Sequence, residues 1–230
     1  MRKIVYLMWS DSSDEHFARA LHQDLMPLIG DIAGIARKQL NIPDRDVDAA
    51  SALRMENSAA AFDAMCSVWC TDAVDATLLD SAIRNFCVQF SRYHVEEIER
   101  LPNTQHPSEP GVRTHGFSQV ALLRCPQGMS YDAWLAYWQN THTAIALETQ
   151  STFRYVQNIV SEVAGEDVSC YHAIVEECFP ALAMTDSAVF YNATGDSKKQ
   201  QDNMKRMIDS CVIFIDFDEI DVVPTSEYVY

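Results

Sequence analysis

The stretch from Gly128 to Val160, GMSYDAWLAYWQNTHTAIALETQSTFRYVQNIV, sets the fold of the chain around it. Trp134, Trp138 and His142 recur at i, i+4 and i+8, with Tyr131, Leu135 and Ile145 beside them, so an aromatic stripe on one helical face ends in an imidazole. Ser130 is placed to cap this helix, and Asp132 lies near its positive end. Phe153 to Val160 then reads as a strand.

Outward from this helix and strand, Phe117 to Cys125 is a preceding strand closed by the turn PQG, and Ser169 to Phe179 is a third strand. Residues 185–210 predict helix interrupted at Gly195, and Cys211 to Phe217 is expected to start the last strand. Pro224 confines the tail DVVPTSEYVY to an edge or a terminus. The first half has the same order: strand Lys3 to Trp9, helix Asp14 to Ile29, strand Ile35 to Ile42, a long polar loop Pro43 to Asn57, and strand Ala61 to Cys70. A helix capped by Asp72 or Asp75 follows, running to Asn85, and then an extended run from Phe86 to Ile98. Residues 101–116, with three prolines and two glycines, read as the linker between the halves.

Each half is thus β-α-β-β-α-β, the ferredoxin-like order. Phe17, Leu21, Leu25, Arg37 and Asn41 match Trp134, Trp138, His142, Arg154 and Asn158 at one spacing of 117 residues, and CVQF at Cys87 matches CVIF at Cys211 at a spacing of 124. The expected fold class is α+β: two fused ferredoxin-like repeats, residues 1–105 and 116–230, each burying its bare sheet face against the other inside one chain.

Composition narrows the function. A hydrophobic fraction of 48% in 230 residues supports a packed core, and no apolar run approaches the ~20 residues of a membrane span. The net charge of −16 repels phosphate backbones and anionic lipid, which argues against nucleic acid or membrane partners. The short apolar run after Met1 ends in an acidic segment and reads as a first strand, not a signal peptide. Seven scattered cysteines without a CxxC read as reduced thiols of a cytoplasmic protein. Cys66 and Cys70 have no histidine pair to complete a metal site, and GxSxG, GxxxxGK[ST] and GxGxxG are all absent. No metal and no cofactor are expected.

The string from Arg124 to Val160 resembles the EthD family of the dimeric α+β barrel superfamily. The matching residues are Arg124, Gly128, Met129, Ser130, Trp138 and His142, then Arg154, Tyr155, Gln157 and Asn158. The first half matches in layout only: Leu25 stands where His142 stands, and Lys38 where Tyr155 stands. The resemblance implies an intrachain barrel whose chemistry, if present, sits in the C-terminal half. Related barrels act on small apolar or aromatic compounds as cyclases, decarboxylases, isomerases or simple monooxygenases, and fold alone does not choose among them.

His142 is the candidate catalytic residue, because an imidazole in an apolar pocket stays neutral and can serve as a base. Its bland alternative is a core histidine bonded to a carbonyl. Trp134 and Trp138 are candidate walls of a substrate pocket or plain core, and Tyr155 could orient a substrate oxygen or simply pack. Asn158 lies on the opposite strand face from Tyr155. His172 could meet His142 across a pocket, or be a satisfied strand histidine. Glu176 and Glu177 point to opposite faces, and either could simply be solvated. Two functions stay open: a cofactor-independent enzyme using His142 on a small aromatic or polyketide-like molecule, and a non-catalytic binding or stress-related protein for a small apolar ligand. A scaffold without a pocket would fit a fully bonded His142, and the fused pair leaves room for a homodimer.

Overall fold

The computed structural model describes residues 1–11, 15–57, 61–165 and 171–230. Eight strands form a closed antiparallel barrel: β1 (Arg2–Trp9), β2 (Ile35–Ile42), β3 (Ala64–Cys70), β4 (Gln89–Leu101), β5 (Phe117–Leu123), β6 (Arg154–Gly165), β7 (Ala173–Phe179) and β8 (Asp221–Val229). Around the barrel they run β1-β3-β2-β8-β5-β7-β6-β4. Within the first half the order is therefore β4-β1-β3-β2, and within the second β8-β5-β7-β6. The two seams between halves are alike: Glu97 of β4 pairs with Asn158 of β6, and Glu227 of β8 pairs with Asn41 of β2.

Helices cover the outside. Helix α1 spans residues 15–30, α2 is Ala76–Arg84, α3 spans residues 131–149, α4 is Ser187–Phe190 and α5 is Ser197–Phe214. Asp75 caps α2 by accepting from Thr77 N, and Ser130 Oγ caps α3 by accepting from Ala133 N. The start of the first helix expected at Asp14 lies outside the described residues, as do Ser169 and Cys170. Helices α1 and α3 share an irregularity, a π turn at Leu21–Leu25 in one and Trp138–His142 in the other. The 117-residue spacing read from the sequence superposes these two turns.

Strand alternation divides the core. Ile4, Tyr6 and Met8 of β1 pack outward against Phe17, Leu21, Leu25 and Ile29 of α1, whereas Val5 and Leu7 point inward to meet Tyr93, Val120, Leu122 and Val223. At one end the interior is ionic. Lys3 Nζ donates to Glu97 (2.9 Å) and Glu176 (2.7 Å), Arg154 Nη1 to Glu227 (2.6 Å), and Asn158 Nδ2 to Glu176 (2.9 Å). Burial alone would raise the Glu176 carboxyl, but Lys3 and Arg154 outweigh it and hold it well below the usual carboxylate range.

Several expectations are corrected. The loop Pro43 to Asn57 contains a 3-10 helix, Arg45–Leu53, capped by Asp44. Cys211 to Phe214 is the last turn of α5 and not strand, so CVQF and CVIF are a chance match; amphipathic helix and strand are hard to separate over four apolar residues. The tail is an internal strand, since a closed barrel has no edge. Pro224 fits there because its nitrogen points, like those of Val222 and Ser226, toward β2, into the gap between the Met55–Val222 bridge and the Ile42–Ser226 pair. Glu176 and Glu177 do face opposite sides, yet both are buried. The segment after Leu101 also packs: Thr114 donates to Glu227 through both its backbone N and its hydroxyl. Among the described residues, no helix is long and apolar enough to cross a membrane.

Candidate functional site

A cavity of about 330 Å³ lies between α3, α5 and the outer face of the second half's sheet. Its floor follows from register. Gln119 of β5, Glu177 of β7 and Tyr155 of β6 are cross-strand partners and form one polar row, with Ala121 and Val175 in the next. Its roof is Trp138 and His142 from α3, with Met207, Cys211 and Phe214 from α5. Two segments flank it: Ala52 and Leu53 come from the 3-10 segment of the first half with Met55 just after it, and Phe190 and Tyr191 from the β7–α5 connection.

The π turn positions the imidazole. Widening the turn at Trp138–His142 leaves the Trp138 carbonyl reachable by the Thr143 hydroxyl, which donates to it at 2.8 Å. His142 is 4% exposed; its Nδ1 lies 2.9 Å from Ser210 Oγ of α5, and its ring meets Phe214 at 4.5 Å between centroids. Among the described residues Nε2 has no hydrogen-bond partner. Burial pushes the imidazole down to about 4, so it is neutral at physiological pH.

Trp138 Nε1 donates to the Tyr155 hydroxyl at 3.1 Å, and both side chains line the cavity. Burial first, and then the neighbouring Glu177, raise the Tyr155 hydroxyl well above its ordinary value. Trp134 is elsewhere. Its Nε1 donates to Phe214 O (2.9 Å), and its ring packs on Trp138 and edge-on to His172, outside the cavity lining. The structure does not bring His172 to His142: its Nδ1 accepts from Cys125 N at 2.9 Å, and its ring lies against Tyr131 and Trp134. Helical spacing does not say which side of the α3 stripe meets open space, so Trp134 and Trp138 are equivalent by sequence.

Two polar residues of the cavity carry an unpartnered oxygen. Glu177 is 6% exposed and Gln150 4%, and the Oε1 atoms of both have no hydrogen-bond partner. Burial among apolar groups pushes the Glu177 carboxyl up to about 8. Strand alternation marked Glu177 as facing opposite to Glu176, but only the covering insertions make its side dry. Cys211 borders the same space, its thiol raised to about 12 by burial and by Glu177.

In the first half, the equivalent space is filled. Leu25 replaces His142 and is fully buried with Leu21, Leu40, Val68, Leu79 and Ile83. Lys38, at the Tyr155 position, turns its Nζ to Met26 O at 2.7 Å.

Residues 126–210 match the family model described as EthD domain. No curated protein matches the chain. Among solved structures, an anthrone oxidase-like protein is similar over 100% of this chain and 92% of its own, with a TM-score of 0.60 at 8% identity. A candidate monooxygenase from Fusobacterium nucleatum is similar over 99% of this chain and 91% of its own, with a TM-score of 0.49 at 8% identity. At 8% identity the likeness to the anthrone oxidase-like protein is one of fold. The segment that matches the EthD domain model, residues 126–210, lies in the second half of a closed α+β barrel.

Proposed function

We propose that the chain is a fused pair of ferredoxin-like units, residues 1–105 and 116–230, in which only the second keeps an active site. In this reading the protein is an enzyme that uses His142 as a general base on a small aromatic or polyketide-like molecule, without a cofactor. The observation that carries it is the cavity under the π turn: a neutral imidazole, bonded at Nδ1 to Ser210, lines a mainly apolar space beside Trp138 and Tyr155. The base form follows if Nδ1–H donates to Ser210 Oγ, which leaves the Nε2 lone pair toward the ligand. Packing supplies no reason for this histidine, because Leu25 occupies the same place in the first half and seals it. The EthD match over residues 126–210 and the fold shared with an anthrone oxidase-like protein fit a small-molecule site in this half.

The test is turnover of small hydroxyaromatic and polyketide-like ketones by wild type and His142→Ala. Conversion by wild type that falls by about 10²–10⁴ in the variant supports the base. Equal binding by both proteins with conversion by neither overturns the enzyme reading and leaves a binding protein.

A further inference from the structure

The cavity holds more polar capacity than a histidine and an apolar box require. Glu177 and Gln150 are both more than nine-tenths buried, each has an orphaned Oε1, and both line the space that His142 faces. An unsatisfied buried polar atom costs about 1–3 kcal/mol, so two in one cavity suggest a partner that arrives with the ligand. Glu177 is fixed in place by its strand, flanked across the ladders by Tyr155 and Gln119.

We propose that Glu177 is a second catalytic group, a proton donor to the carbonyl oxygen of a compact, mainly apolar ketone whose neighbouring C–H proton goes to His142. This rests on His142 being the base. The polar and titratable groups that line the cavity with Glu177 are Gln119 from β5, Tyr155 from β6, His142 from α3, Gln150 after α3, Cys211 from α5 and Tyr191 after α4. Among the described lining residues there is no Lys, no Arg and no second carboxylate, so nothing cationic draws the proton away. The carboxyl, raised by burial to about 8, is mostly protonated at neutral pH, while the imidazole, lowered to about 4, is unprotonated. Two titratable groups pushed in opposite directions within one cavity form an acid and base pair. The 330 Å³ space lies at the lower end of ligand pockets, roughly 300–1,000 Å³, which fits a ligand of two or three rings.

The step balances without an oxidant. The C–H bond next to the carbonyl breaks, its proton bonds to Nε2, and its electron pair becomes the C=C bond of an enol. The carbonyl π pair moves to oxygen, which takes the Glu177 proton and leaves a carboxylate. In a β,γ-unsaturated ketone, His142 then returns its proton at the γ-carbon and the enol proton goes back to Glu177. The product is the conjugated isomer and both groups are restored. Gln150 is placed to accept from a hydroxyl on the ligand.

The experiment uses 2-tetralone as the probe, with affinity measured against pH and α-proton exchange followed in D₂O by NMR. Wild type is expected to bind and exchange it, with affinity falling as pH rises through about 8. Glu177→Gln keeps shape and a donor, so it should bind without that pH dependence and exchange about 10²–10⁴-fold more slowly. His142→Ala should also lose exchange but keep the pH-dependent binding. The proposal is overturned if wild type fails to bind or to exchange the ketone, if Glu177→Gln exchanges at the wild-type rate, or if both proteins share one pH profile. If His142→Ala exchanges like wild type while Glu177→Gln does not, His142 is not the base and Glu177 stands as the donor.

Discussion

Helices α1 and α3 have the same π turn at the same place on the same outer face of the barrel, but what lies beneath them differs. Under α1 the turn ends in Leu25, which packs into a filled apolar layer. Under α3 it ends in His142, which borders a cavity with Glu177 and Gln150 unsatisfied on its wall. The turn is therefore a property of the scaffold. What differs is a leucine position holding a histidine, a strand position holding a carboxylate, and two segments that flank the gap without filling it.

His142→Leu makes the second half resemble the first and should have the largest effect. Turnover should fall by about 10²–10⁴, while thermal unfolding changes little, because the apolar surface that leucine buries offsets the lost bond to Ser210. A parallel drop in Tm would mean that His142 holds the fold together and would break the contrast.

Truncation should rank the two positions the other way round in stability. Leu25→Ala leaves a hole in a packed layer and should cost about 2–5 kcal/mol in denaturant unfolding. His142→Ala enlarges a space already open and gives up chiefly the bond to Ser210, worth about 0.5–1.5 kcal/mol. Equal losses would show that both halves pack alike.

A third contrast is in pH. The Glu177 carboxyl is raised from 4.5 to about 8 in the folded protein, so the folded state holds a proton that the unfolded chain has released, and stability falls as pH rises across that window. Glu177→Gln removes this term, and its Tm should exceed that of wild type by more at about pH 8 than at about pH 5. His142 acts in the other direction: its folded value lies below 6.5, so its contribution is present at neutral pH and is lost as pH falls from 6.5 toward about 4. A pH-independent Tm difference for Glu177→Gln would mean the carboxyl is solvated.

Sequence alone determined the repeating order of strands and helices, the asymmetry between Leu25 and His142, and the opposite facings of Tyr155 and Asn158, because all of these follow from periods of 3.6 and 2 along a single chain. It misassigned Cys211 to Phe217, which form the last turn of α5 and the connection before β8, because a short apolar run satisfies either period, and it placed Pro224 at an edge because a closed barrel cannot be seen one strand at a time. The cavity itself was decided by tertiary structure. Leu53 and Met55, more than eighty residues before His142, fold over the second half's sheet, and together with Phe190 and α5 they keep water from Glu177. Whether a strand carboxyl is a solvated surface group or a neutral acid depends on what covers it, and the residues that cover this one come from elements far apart in the chain.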